Sequence, residues 1–240
     1  MSDSDSVDGR DQVLERAPRF RSISAEISRS LRDMILTGKL LPGQRITQEE
    51  LAKLLGVSTM PIREALLRLG HEGFIEASRG RSFRIARTTR EDVADIYWAH
   101  SVIEGELTRR ACLRSEEVID ELENVHRRWG DAVRDGEPAL LEELNFAFHR
   151  GINRAADSPK LLILLRQTLQ FIPGHFYSLL PSWAKISERG HEEILEAMRR
   201  KDHEQAAAAA SRHVLEAGEL LITYFDDTGF WNRPAPQVVD

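Results

Sequence analysis

QRITQEELAKLLGVSTMPIREALLRLGHEGFIEASRGRSFRIA, residues 44–86, reads as two short helices joined by a tight turn and followed by a hairpin. Thr47, with Glu50 three residues on, is a capping-box pattern that starts the first helix. Leu51, Leu54 and Leu55 give it an apolar stripe at helical spacing. Gly56 stops it and permits a left-handed turn. Ser58 is a second N-cap, and Pro61 falls in the next turn, where a missing N–H is tolerated. Ile62, Leu66 and Leu69 face inward, which leaves Thr59, Met60 and Arg63 outward near the N-terminal end. Gly73 ends the second helix. Phe74–Ser78 and Ser82–Ala86 read as strands around a basic tip of Arg79, Gly80 and Arg81.

A unit this small has a limited core, and its use is to present one exposed helix. That helix and the hairpin suit the grooves of duplex DNA. Each piece alone has a plainer explanation, since helix-turn-helix shapes serve many folds and a basic hairpin is an ordinary solvated turn. The order helix, turn, helix, hairpin, with caps at both helix starts, favours DNA. The charge distribution agrees. The 240-residue chain carries a net charge of -6, which by itself argues against nucleic acid. Residues 21–90, however, hold 13 Lys and Arg against 7 Asp and Glu, while residues 91–240 hold 17 against 27. A basic module on an acidic body is expected when one part meets phosphate and the other does not.

The stretches LPGQRI, LAKLLGVS, PIREALLRL and EGFI resemble the N-terminal domain of the GntR family of bacterial transcription regulators, from about Ile23 to Ala86. The resemblance implies a winged helix-turn-helix whose recognition helix begins near Ser58. It implies that Arg63 contacts DNA and that Arg79 and Gly80 form the wing tip. Many members carry an arginine where this chain has Thr59, so one guanine or phosphate contact available to them is absent here.

Residues 1–20 are polar and charged, lack the apolar run of a signal peptide, and predict a disordered tail. A helix is expected from Ser22 to Thr37, with Ile23, Ile27, Leu31 and Ile35 on one face. From Thr89 to about Phe225 the pattern is helical, with breaks near Ser115, Asp135-Gly136, Asp157-Ser158-Pro159, Pro173-Gly174, Pro181 and Asp202. That predicts an all-α antiparallel bundle of about six or seven helices. The expected divisions are a tail at 1–20, a DNA-binding domain at 21–88, a helical domain at 89–228 and a tail at 229–240. No run has the length and apolarity of a membrane span. The single cysteine, Cys112, excludes an internal disulfide, fits a cytoplasmic protein and reads as a packed small residue.

Chemistry in the bundle, if any, lies in its histidines. Asn145 and His149 share a helix face, and His191 and His213 fall on the apolar faces of two later helices. Each is either a hydrogen-bonded core histidine or a ligand, and spacing alone leaves both open. Imidazoles from facing helices can hold a divalent transition metal with positions free for water or ligand. His126, His175 and His203 carry no motif.

This region, about Arg90 to Phe225, resembles the all-helical FCD ligand-binding domain of the FadR subfamily. NFAFH, RGHEEI and SRHVLE match its metal-binding pattern. The resemblance implies that Asn145, His149, His191 and His213 hold zinc or nickel, with Asn145 where aspartate is usual. Members often carry an arginine for a carboxylate effector in a Y-x-x-R-x-x-x-E pattern. Here the run contains Tyr97, His100 and Glu104, with His100 in the arginine's place.

The reading is therefore a mainly α-helical, non-enzymatic repressor, binding a near-palindromic operator as a homodimer and sensing a small molecule such as an organic acid. Two alternatives remain. One is a metal-dependent hydrolase fused to a DNA-binding module, against which no general base stands beside the histidines. The other is a regulator with a purely structural metal and no effector.

Overall fold

The computed structural model describes residues 23–78, 82–114, 117–171, 177, 180 and 182–232. It is mainly α-helical, with a small helix-and-strand unit followed by a helical bundle. The unit runs α1 (Ile23–Leu36), β1 (Arg45–Thr47), α2 (Gln48–Leu55), α3 (Thr59–His71), β2 (Ile75–Ala77) and β3 (Ser82–Ile85). Helical periodicity on α1 and α3 turns Ile27, Leu31 and Ile35 toward Ile62, Leu66 and Leu69, none of them more than 6% exposed. The Thr47–Glu50 capping box forms in both directions, with N–H to oxygen distances of 3.2 and 2.8 Å. Gly56 closes α2 at φ 65°. Ser58 takes the N-cap position of α3 without a side-chain hydrogen bond.

Two details depart from the sequence pattern. Ile23 and Leu54 stay 58% and 65% exposed, so neither belongs to the core stripe of its helix. Residues 45–47 form an unforeseen strand on β3, giving an antiparallel sheet in the order β1-β3-β2 with Ile46 opposite Phe83 and Ile75 opposite Ile85. Three residues are too few for alternation to register in a sequence. The basic hairpin tip, Arg79 to Arg81, lies outside the described residues, as do both expected tails apart from 229–232.

Six α-helices form the bundle among the described residues: α4 (Arg90–Arg114), α5 (Glu117–Asp135), α6 (Pro138–Ala155), α7 (Pro159–Leu169), α8 (Trp183–Arg199) and α9 (His203–Asp227). The breaks expected at Asp135-Gly136, Asp157–Pro159 and Asp202 fall between helices. Those at Ser115, Pro173-Gly174 and Pro181 lie outside the described residues. Beyond α9 a short 3-10 turn, Phe230–Asn232, folds back and stacks Phe230 on Phe225 at 4.1 Å.

The bundle's long seam joins α4 to α9, each 25 residues. Small residues let the two approach closely. A Cβ on Gly105 would lie 2.3 Å from Oγ of Ser211, and one on Gly218 would lie 2.5 Å from Cγ of Tyr97. Ala206, Ala209 and Ala210 are buried on the same helix. The α4 face that turns inward is polar, with His100, Ser101, Glu104 and Thr108 all at most 7% exposed. Ser101 and Thr108 donate their hydroxyls to carbonyls of their own helix, so His100 and Glu104 are the buried polar side chains that mark a site here.

Each unit has its own apolar core. Phe171, just past α7, bridges them by stacking on Phe74 at 4.8 Å. Arg32 lies over the Phe74 ring, 5.6 Å from its centroid, and pairs with Glu72 at 2.5 Å. No helix among the described residues is long and apolar enough to cross a membrane.

Candidate functional site

At the N-terminal turn of α3, Thr59, Met60 and Arg63 are all exposed, Met60 at 72%. Burial of Ile62 and Leu66 on the opposite side fixes which edge of the helix they present. Behind them, Arg84 donates to the carbonyl of Gly43 at 2.7 Å and ties β3 to the turn before β1. Arg79, Gly80 and Arg81 lie outside the described residues.

Inside the bundle three helices converge on one point. His149 from α6, His191 from α8 and His213 from α9 each offer a ring nitrogen, all within 4.8 Å of one another. Nε2 of His149 and Nε2 of His213 are 3.3 Å apart. Two nitrogens bound to one tetrahedral zinc at about 2.0–2.1 Å stand roughly 3.3 Å from each other, so this pair is already spaced as a metal would require. His191 lies flat on Phe148, ring centroids 4.0 Å apart, and edge-on to Trp129 at 5.2 Å. Its buried Nε2 has no hydrogen-bond partner, nor has the buried Oδ1 of Asn145, one turn before His149 on α6. Buried polar atoms without partners are rare in folded proteins, and a ligand is one cause. Nitrogen donors with a neutral oxygen fit a borderline transition metal such as zinc or nickel.

Glu104 sits behind His149. Its Oε1 is 2.7 Å from Nδ1 of His149 and its Oε2 is 3.8 Å from Nε2 of His100. Burial opposes its ionisation, but hydrogen bonds and charge from His149, with His100 and Asn153, more than offset this and hold the carboxyl below its ordinary value. An ionised Glu104 can only accept, so Nδ1 of His149 donates the hydrogen of this contact and Nε2 is the ring atom nearer His213. Burial pushes His100 down to about 4 against the pull of Glu104. His213 falls to about 3, again chiefly through burial, and His191 falls well below its ordinary value for the same reason.

Of the three residues expected around an effector, His100 and Glu104 adjoin the histidine cluster, while the hydroxyl of Tyr97 hydrogen-bonds that of Tyr177. Sequence reasoning did not single out Phe148, Trp129 or Gly190. A Cβ on Gly190 would lie 2.4 Å from Nδ1 of His213, so α8 reaches α9 only because that atom is missing. The available signal was a glycine directly before His191 inside a helix. His126 also proves to be a neighbour, edge-on to His191 at 6.3 Å with Nε2 3.0 Å from Glu192. Cys112 is half-buried, and burial pushes its thiol up, as expected of a packing residue.

Comparison with known proteins agrees with both halves. Residues 23–85 match the family model for bacterial regulatory proteins of the gntR family, and residues 95–216 match the FCD domain. The uncharacterized HTH-type transcriptional regulator YdhC of Bacillus subtilis (strain 168) is 32% identical over 198 residues, covering 77% of this chain and 83% of its own. The uncharacterized HTH-type transcriptional regulator Rv0043c of Mycobacterium tuberculosis (strain ATCC 25618 / H37Rv) is 30% identical over 198 residues, covering 80% of this chain and 79% of its own. Among solved structures, E. coli McbR/YncC superposes with a TM-score of 0.65 at 21% identity, over 85% of this chain and 99% of its own, which speaks to the fold. The class is thus a ligand-responsive DNA-binding regulator with an FCD-type effector domain, and regulatory rather than catalytic. The chain belongs to the GntR family.

Because burial lowers the histidines' folded-state values below their ordinary 6.5, the fold is favoured by their neutral forms. That stability is fully present above about pH 6.5 and is lost as pH falls toward the folded values of about 4 for His100 and about 3 for His213. Chelator-treated protein should therefore lose stability on the order of a few kcal/mol between pH 6.5 and pH 4. Thermal melts across that range measure it, and a flat profile would contradict the buried, neutral cluster.

Proposed function

We propose that the chain is a repressor of the FadR subfamily, acting in the cytoplasm, that binds a near-palindromic operator as a homodimer. In this reading residues 21–88 form the DNA-binding domain and residues 89–228 the sensing domain. Asn145, His149, His191 and His213 hold a divalent transition metal, zinc or nickel, at the floor of an effector pocket beside His100 and Glu104. The observation that carries it is the convergence of three imidazoles from three helices within 4.8 Å, behind a polar inner face of α4. A bound metal supplies a positive centre for an anionic oxygen of the effector. Operator occupancy alone suffices to block a promoter, so repression needs no further activity. Effector binding changes the fit of paired recognition helices to their half-sites by favouring one arrangement of the two domains.

His100 decides the class of effector. An arginine at this place would offer a permanent planar cation to a carboxylate. Buried and held down to about 4, His100 is uncharged near neutral pH and offers none. The positive charge for an organic acid must then come from the metal. Purified protein should hold about one zinc or nickel per chain by elemental analysis. His191→Ala and His213→Ala should each lose it, and citrate or lactate should titrate calorimetrically into metal-loaded protein but not stripped protein. A metal-free preparation whose melting temperature ignores added zinc and nickel would reduce the cluster to packing. Tight acid binding without metal would move the pocket elsewhere.

For DNA, the exposed edge of α3 and the basic segment support Arg63 as a base contact and Thr59 and Met60 as its neighbours, with Arg79, Gly80 and Arg81 on the phosphates. Arg63→Ala should weaken operator binding by roughly 1–3 kcal/mol, and affinity should fall steeply with salt. Unchanged affinity in fluorescence anisotropy would remove α3 from the interface.

Support for the homodimer comes from α4 and α7, which adjoin. Trp98, Val102 and Leu113 on α4 and Ile163 and Leu164 on α7 are large apolar side chains that are 48–63% exposed. Apolar residues gathered on neighbouring helices are what a symmetric pairing would cover. Light scattering should report a dimer at micromolar concentration and a shift toward monomer for Trp98→Glu. A monomeric wild type would overturn the pairing.

A further inference from the structure

We propose that Glu104 is a positioning residue for the metal site, delivering through His149 the negative charge that Asn145 does not supply. This rests on the metal reading above and assigns Glu104 to the metal rather than to direct contact with an effector.

The argument starts from charge. Among the described residues, no carboxylate oxygen joins the three ring nitrogens of the cluster. Three neutral imidazoles and the neutral amide oxygen of Asn145 would leave a divalent ion with its full charge inside a helical bundle. An uncompensated charge in a poorly solvated interior is costly, so a countercharge is required nearby. Glu104 is the buried carboxylate that meets the need, 1% exposed and 2.7 Å from the His149 nitrogen that faces away from the cluster. One imidazole ring separates it from the metal position.

The geometry also selects this role over two others. Glu104 is not a direct ligand, because Oε1 is engaged on Nδ1 of His149 and the convergent nitrogens lie beyond that ring. It is not primarily the partner of His100, whose nitrogen stands 3.8 Å away against 2.7 Å for His149. What it does is fix the tautomer. With Nδ1–H donated to Glu104, the lone pair of His149 is held on Nε2, the atom 3.3 Å from Nε2 of His213. A carboxylate behind a ligating histidine both orients the ring and raises its basicity, and losing such a partner typically costs ~10–100-fold in metal affinity. The position of Glu104 on α4, next to Gly105, is set by the close α4–α9 seam.

The test uses the full chain and zinc alone, measured by competition with a chromophoric chelator. Glu104→Gln should weaken zinc binding by ~10–100-fold. Asn145→Asp placed in the Glu104→Gln background should recover most of that loss, because it restores one negative charge at the metal. Nitrogen-15 spectra of metal-free protein should show His149 as the Nδ1–H tautomer in the wild type and as a mixture in Glu104→Gln. A merely structural Glu104 would move neither the rescue nor the tautomer. If Glu104→Gln fails to keep a helical circular dichroism spectrum, Glu104→Asp replaces it. That variant keeps the charge but withdraws it from Nδ1, and intermediate weakening is expected. Wild-type zinc affinity in the folded Glu104 variant, or no rescue by Asn145→Asp, overturns the assignment while leaving the metal site intact. A wild type that takes up no zinc overturns the metal reading, and this assignment with it.

Discussion

A Cβ at Gly190 would come within 2.4 Å of the His213 ring, one at Gly105 within 2.3 Å of Ser211, and one at Gly218 within 2.5 Å of Tyr97. These three close approaches set how near α4, α8 and α9 can pack. Side chains reach a common point between helices only when the backbones are close enough, and glycine is the residue that permits it. The cluster of His149, His191 and His213 follows from that spacing, as does the reach of Glu104 from α4 to the back of His149. The helical glycines are thus part of the site without carrying any of its chemistry.

The same packing creates an electrostatic problem. Burial drives His100, His191 and His213 toward their neutral forms, while Glu104 stays ionised through its hydrogen bonds. Orphaned atoms remain on His191, His213, His100 and Asn145. A core of this kind gives up apolar contacts that leucines would have made, and its buried His100 and Glu104 on α4 are poor choices for stability alone. Uncharged imidazoles on His191 and His213 are, by contrast, the state in which a cation meets no like charge from them.

Among the described residues, an aromatic stack joins the two units. Phe171, just past α7, stacks on Phe74, which follows α3, and Arg32, paired with Glu72, lies over the same ring. Six residues further on, Tyr177 hydrogen-bonds Tyr97, one turn before His100 on α4.

Much of this was legible in the sequence, and for local reasons. The Thr47–Glu50 cap, Gly56 and the Ile62, Leu66, Leu69 stripe specify a helix-turn-helix through interactions within a few residues of each other. Turn residues and helical periodicity likewise mark the bundle's helices. The family-like spacing of Asn145, His149, His191 and His213 singles out the histidines in the sequence itself. The sequence could not bring them together, because convergence depends on distances between helices that are far apart in the chain. Strand β1 escaped notice because three residues carry no periodicity and its partner, β3, lies about 37 residues away. The pairing of Glu104 with His149, across 45 positions, and the collision that makes Gly190 necessary exist only once α4, α6, α8 and α9 have packed. Composition and spacing name the donors; only tertiary packing decides which of them face one another and in which charge state.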